Sequence, residues 1–261
     1  MEINLPEIWR YRELLYIFAW RDIKVRYKQT VLGIAWAIFQ PFMTMIIFSV
    51  IFGRLAGVPS EGIPYPIFVY SGLLFWNYFS SALTNSSNCL VESEGIIKKV
   101  YFPRLILPIS VTITPLIDFL FAFVILIGMM IYYHFMPSFL GIVMVPVLLL
   151  ICLLSASGLG LFLASINAKF RDVRYILPFF IQILMYVTPV IYPVSIIPEK
   201  YRWIASLNPM SGVITFARVL FLHSGTLDWS MLGVSVISGI ILLILGVVYF
   251  KKTERFFADI L

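Results

Sequence analysis

"FLFAFVILIGMMIYYHFMPSFLGIVMVPVLLLICLLSASGLGLFLASINA", Phe119 to Ala168, contains no Asp, Glu, Lys or Arg. A helix rises 1.5 Å per residue, so about 20 apolar residues cross the roughly 30 Å hydrocarbon core of a bilayer. The stretch is too long for one crossing, and "HFMPS", His134 to Ser138, is its one polar, proline-containing break near the first third. Two spans joined by a tight turn follow. Outward from there, uncharged runs recur at 29–53, 62–91, 105–117, 175–198 and 229–250. The 261-residue chain is 61% hydrophobic and only 12% charged, against about one quarter charged in soluble domains. This is the composition of an integral membrane protein. The runs do not alternate in polarity as the strands of a membrane barrel must, so the expected fold class is all-α.

Six transmembrane helices are expected at about 31–54, 65–91, 105–135, 138–167, 175–194 and 229–250. Residues 1–30 form an interface helix and 31–261 the membrane domain. The segment 195–228 is apolar but carries Arg202 and Arg218 and is broken at "LNPMSG". A full crossing there would put the last basic residues on the wrong side, so a re-entrant outer helix pair is expected, with its broken backbone buried in protein or lining water. With the N-terminus inside, cytoplasmic parts hold 15 Lys and Arg and outer parts hold 4, namely Arg54, Lys200, Arg202 and Arg218. The positive-inside rule then places both termini in the cytoplasm. No short apolar stretch followed by a small-residue cleavage site opens the chain, so no signal peptide is expected.

The first 28 residues differ from the rest. Asn4 is a candidate cap with Glu7 three residues on, and Pro6 suits a first helical turn. At 100° per residue Arg10, Glu13, Arg21, Lys24 and Lys28 share one stripe, while Tyr11, Leu14, Leu15 and Phe18 lie away from it. The expectation is an amphipathic helix in the headgroup region, its cations reaching toward phosphates.

Sites for chemistry are sparse. No glycine is followed by lysine, so the phosphate-cradling loop is absent, and any ATP must be bound by another polypeptide. His134 and His223 are far apart in sequence, and no His, Cys and carboxylate cluster has metal-ligand spacing. Cys89 and Cys152 both fall in apolar spans and read as buried thiols. The net charge of +6 flanks membrane spans, which points to anionic lipid headgroups and not to nucleic acid. Asp118 is the one acid within a span. It reads as a proton or substrate contact, or as a carboxyl bonded to a neighbouring helix near Pro115. Ala156, Gly160 and Ala164 share a face that permits close helix approach, within the subunit or at a dimer seam. Trp76, Tyr78 and Phe79 could present rings to sugars as an aromatic channel lining. The loops "SEGIIKKVYFPRLILP" and "NAKFRDVRYI" mix charge with Tyr101, Phe102 and Phe170, the composition of docking surfaces.

"WRDIKVRYKQTVLGIAWAIFQP", "KKVYFPRLILP", "FRDVRYILPFFIQILMYVTPVIYP" and "LNPMSG" closely resemble, in the same order, the membrane subunits of polysaccharide-type ABC exporters, the O-antigen and teichoic-acid permeases. The resemblance implies a six-helix subunit in the bacterial inner membrane. It implies a homodimer with two separate ABC ATPase subunits that carry ATP and Mg, this chain binding no cofactor and catalysing nothing. The implied substrate is a polysaccharide on an undecaprenyl lipid. Arg21, Asp22, Lys24, Arg26, Tyr27 and Lys28 match the interface-helix motif, and Arg21, Lys24, Arg26 and Lys28 are the candidates for the lipid headgroup. Lys98, Lys99, Tyr101, Phe102 and Arg104 match the first ATPase-coupling loop, Arg171 and Asp172 the second, and Asn208, Pro209 and Arg218 the outer gate. Thr215 stands where relatives often have an acid, Ala168 where valine is usual and Thr30 where serine is. An ion pair between positions 215 and 218 is therefore not carried over. Two other readings stand beside this one: an ABC exporter of a drug or lipid, and a proton-coupled secondary transporter using Asp118.

Overall fold

The computed structural model describes residues 5–28, 34–170, 172–254 and 257, and among them every regular element is helical. The expected Asn4 cap and Arg171 lie outside the described residues. Two N-terminal helices, α1 (Leu5–Arg10) and α2 (Arg12–Lys28), are separated at Tyr11. Next come α3 (Ile34–Phe48), extended by a π-helical segment Ser49–Leu55, and α4 (Tyr65–Glu92). Short helices α5 (Glu94–Ile97) and α6 (Ile106–Ser110) lead into α7 (Thr114–Tyr132). After the turn at His134–Ser138 run α8 (Phe139–Lys169) and α9 (Val173–Val187). The chain ends with α10 (Glu199–Leu207), α11 (Pro209–Leu222) and α12 (Trp229–Glu254).

Four segments are long and apolar enough to cross a membrane: Ala35–Leu55, Ile106–Tyr132, Phe139–Lys169 and Trp229–Glu254. The other two expected spans depart from that pattern for different reasons. At 28 residues α4 is long enough, about 42 Å, but serine and asparagine dilute its lower half. It buries 18 of its residues, with Phe68, Phe75 and Phe79 at 0–1% exposure against α7, α8 and α11. A helix surrounded by protein need not be uniformly oily, and small polar residues let its neighbours approach. In contrast α9 is apolar but has only 15 residues. It stops at Val187, short of the expected 194, because Thr188 precedes proline and takes an extended backbone, φ −80° and ψ 140°.

The small-residue face of α8 is consumed inside the subunit. Gly160 meets Ser86 of α4, and a Cβ on Gly158 would lie 2.5 Å from the backbone of Leu242 in α12. Ala156 and Ala164 are fully buried, so this face forms no seam with a second copy. Cys89 and Cys152 are free and buried, as expected.

The helices α10 and α11 meet at 108°. Asn208 caps α11 by accepting the Met210 N–H at 3.0 Å, and Pro209 follows where its missing N–H costs nothing. Gly212 abuts Ser235 of α12, and Ile214 abuts Gly72 of α4. Those positions lie only about 9–11 Å inside the starts of α12 and α4. Leu220, near the end of α11, accepts the Ser138 N–H at the 134–138 turn. The pair therefore sits at one end of the bundle; 12 residues of α11 are buried in protein, whereas α10 buries none and Leu207, at the break, is exposed.

Candidate functional site

Three clusters of polar side chains stand out. At the end of the bundle where α2 meets the end of α12, Phe18 and Ala19 of α2 are buried, and Tyr11, Leu14 and Leu15 pack beside them against Leu90, Phe102, Leu105, Ile106 and Phe250. The rings of Phe18 and Phe102 lie 5.7 Å apart. The backbone N–H of Arg104 donates to Glu254 Oε1 at 3.2 Å, and its Nη1 donates to the Glu254 carbonyl at 2.9 Å. Lys251 pairs with the same carboxylate at 2.9 Å. Helix α2, the 98–105 loop and the end of α12 thus form one block. Its outer surface presents Lys98, paired with Glu94 at 2.7 Å, then Lys99 and Tyr101, which is 81% exposed. Phe170 and Asp172 are exposed on the neighbouring loop.

The second cluster lies where α2 meets α7. Asp118 Oδ1 accepts the Tyr27 hydroxyl at 2.5 Å, and its Oδ2 faces Arg26 Nη2 at 2.5 Å. Burial, and then the carboxylate it serves, push the Tyr27 phenol above its ordinary pKa, so it stays a donor. A cavity of about 100 Å³ adjoins the trio and is lined by Gln40, Asn77, Ser80 and Ser81. It has room for a few waters and no more.

The third cluster is at the opposite end. Arg218 of α11 is 3% exposed and donates only to backbone carbonyls: Nε to Phe68, Nη1 to Pro189 and Tyr192, and Nη2 to Val190. Its guanidinium carbon lies 3.7 Å from the centre of the Phe68 ring. The Asn208 amide donates to Thr188 Oγ1 at 2.7 Å. Together these bonds tie the connection after α9 to α4 and α11. Gly72 makes the approach possible, since a Cβ there would lie 2.7 Å from Arg218 Nη2.

The model of the ABC-2 type transporter family matches residues 13–222, which contain all three clusters except Tyr11 and the end of α12. The chain belongs to that family. It is 32% identical over 261 residues to the O-antigen export system permease protein RfbA of Klebsiella pneumoniae, covering 100% of this chain and 98% of that one. The Myxococcus xanthus protein of the same name is 28% identical over 254 residues, 96% of each chain. The polysialic acid transport protein KpsM of Escherichia coli is 24% identical over 242 residues, 90% of this chain and 91% of its own. The chain is thus an integral membrane transport subunit.

Within this ABC-2 transporter the expected site residues divide into those the fold leaves accessible and those it encloses. Lys24 and Lys28 are exposed and carry no ion pair among the described residues, Arg21 pairs with Asp22 at 2.8 Å, and Arg26 is engaged by Asp118. The apolar side of α2 lies on protein and not on lipid. Tyr16 and Trp20 are exposed on the helix instead, and Trp9 is exposed on α1. Phe102 is not a docking residue but an internal one, at 3% exposure. Trp76, Tyr78 and Phe79 are 3%, 4% and 1% exposed within the subunit's own packing, so they offer no open aromatic surface. The accessible rings lie elsewhere: Trp36 and Phe39 on α3, and Tyr175, Phe179 and Tyr186 on α9. Their amphipathic spacing on α9 was the one available sequence signal. Asp118 is a carboxyl bonded to a neighbouring helix, but the neighbour is α2. Asn208 and Arg218 gather at the far end as expected, whereas Thr215 Oγ1 is buried without a partner. His223, remote in sequence from His134, sits beside the same turn, its Nε2 2.8 Å from the Met136 carbonyl oxygen.

Proposed function

We propose that this chain is the membrane half of an ATP-driven exporter that moves a lipid-linked, O-antigen-like polysaccharide across a bacterial inner membrane. The observation that carries this reading is the end-to-end likeness to O-antigen permeases, 32% over 261 residues. In this reading α4 and α9 complete six spans, both termini are cytoplasmic, and the α10–α11 pair gates the outer exit. Two copies enclose the path, and the exposed rings of α3 and α9 supply its aromatic lining. A separate ABC ATPase subunit docks under each copy on Lys99, Tyr101, Phe170 and Asp172. Because α2, the coupling loop and α12 form one block, a push on that loop moves them as a rigid body, the kind of switch that opens paths between packed helices. Lys24 and Lys28 face the carrier's pyrophosphate at the inner mouth.

The test is co-purification with a nucleotide-binding subunit, followed by ATP-dependent export of labelled polymer in vesicles. Export that persists without any ATPase and collapses with the proton gradient would overturn the reading. Tyr101→Ala is expected to weaken ATPase docking by about 1–2 kcal/mol, roughly tenfold, as loss of an exposed aromatic contact does, measured by titrating the ATPase onto the purified permease. The Arg26 and Tyr27 contacts on Asp118 also speak against Asp118 as a free proton carrier.

A further inference from the structure

At the outer end, beside the Arg218 clasp, five segments converge on a cavity of about 240 Å³ that contains no aromatic ring. We propose that this cavity binds a neutral polyhydroxylated unit the size of one sugar ring. Only its connection to an exported polymer rests on the export reading.

The chemistry of the walls selects the ligand class. Arg202 and Arg218 balance Glu61 and Asp228, so a simple anion meets two carboxylates and a simple cation two guanidinium groups. An apolar ligand would take water from the Glu61 and Asp228 carboxylates and from Arg202 and offer no hydrogen bond in return, which is costly. A sugar hydroxyl both donates and accepts, and so can satisfy either sign. The cavity is also smaller than the roughly 300–1,000 Å³ of clefts that hold drug-sized molecules.

Hydrogen-bonding capacity remains open there. Thr215 Oγ1 is buried, lines the cavity and has no partner. Arg218 has five N–H donors and makes four hydrogen bonds, which leaves one Nη2 hydrogen. Glu61 Oε1 accepts the Ser195 hydroxyl at 2.8 Å, and its Oε2 accepts no bond among the described residues. Asp228 Oδ1 accepts from Ser230 and Met231, which leaves Oδ2. Glu61 moreover holds a left-handed backbone, φ 57°, a conformation a non-glycine residue keeps only where its surroundings impose it. Thr215 adds only a small hydroxyl to the wall, and Glu61 supplies counter-charge to Arg218 from across the gap.

The full chain in lipid nanodiscs, free of sugar-headed detergent, is titrated with D-glucose, D-galactose, D-mannose and N-acetyl-D-glucosamine, with sodium phosphate as the anion control, and read by saturation-transfer NMR. At least one sugar is expected to bind saturably in the millimolar range and phosphate not at all. Thr215→Val and Glu61→Gln should each weaken that sugar about tenfold, the loss of one hydrogen bond, buried at Thr215 and charge-assisted at Glu61. As a check that needs neither variant, a cysteine at position 226 (Thr226→Cys) should react with maleimide several-fold more slowly when the sugar is present. No saturable sugar, affinity unchanged in both variants, phosphate binding as tightly as sugar, or labelling indifferent to sugar would each overturn the subsite. If vesicles export polymer while no sugar binds, the subsite falls and the export reading stands. If sugar binds and vesicles export nothing, the reverse holds.

Discussion

Asp118 serves two side chains of α2 with one carboxylate, and removing its charge leaves Arg26 facing a neutral amide. Its side chain is 18% exposed and that of Arg26 42%, so the pair lies between the exposed kind, worth under about 1 kcal/mol, and the enclosed kind, worth several. Asp118→Asn is expected to cost about 1–3 kcal/mol in thermal unfolding. Asp118→Asn and Arg26→Gln together should cost less than the sum of the two singles, a coupling that independent sites would not show. Arg218→Lys replaces five donors in a planar fork by three on a flexible stem. It leaves buried carbonyls unpaired and should cost about 2–4 kcal/mol, with a lower melting temperature as the readout. Both residues were visible in the sequence as charges among apolar neighbours. Their partners were not, because Tyr27 lies 91 positions from Asp118 and Phe68 lies 150 from Arg218. Conversely, Trp76, Tyr78 and Phe79 look alike in sequence whether they face a pore or a core, and only packing decides.

Helix ends follow local chemistry, which made some of them legible, although the expected fifth span runs past Pro189 to 194 where α9 stops at Val187. Ser138 caps α8 by accepting the Gly141 N–H at 3.0 Å, and proline marks the breaks at 137, 189 and 209. Asp228 caps α12, accepting the Met231 N–H at 3.0 Å. The Ser230 hydroxyl and then that N–H hold its pKa below the ordinary carboxylate value. A depressed folded pKa means that this stabilisation is complete above the unfolded value of about 4 and is lost as pH falls through the folded one. Asp228→Ala should therefore cost about 1 kcal/mol at neutral pH, with the deficit shrinking as pH falls through the folded value, measured by melting the two proteins across the acid range. Asp228→Asn should retain most of the cap, since asparagine caps as well as aspartate. The α8–α12 crossing makes a harsher prediction. Gly158→Leu forces apart backbones that a Cβ alone would already touch, and overpacking of this kind costs at least about 1–3 kcal/mol. The expected outcome is loss of the monodisperse protein on gel filtration. What stayed hidden at this scale was the length of α9 and the double-sided character of α2, since tertiary packing decides which apolar side is covered.

For the whole molecule, hydropathy and charge placement made the all-helical membrane architecture readable, because a bilayer leaves few ways to satisfy a backbone. The location of the polar cavities was not readable, since each is assembled from segments distant in sequence. Both native cysteines are buried, so the folded protein should resist maleimide and take up two equivalents on unfolding. That quiet background permits a direct topology measurement. A cysteine placed by Tyr101→Cys is expected to label only from the cytoplasmic side, and one placed by Thr226→Cys only from the other. The Arg218 clasp has a last implication for that end of the bundle. Every acceptor it has among the described residues is a backbone carbonyl, which has no proton to gain as pH falls. Acid that would unlatch a fastening built from carboxylates should accordingly leave this one shut, a form of acid-proofing built from main chain alone.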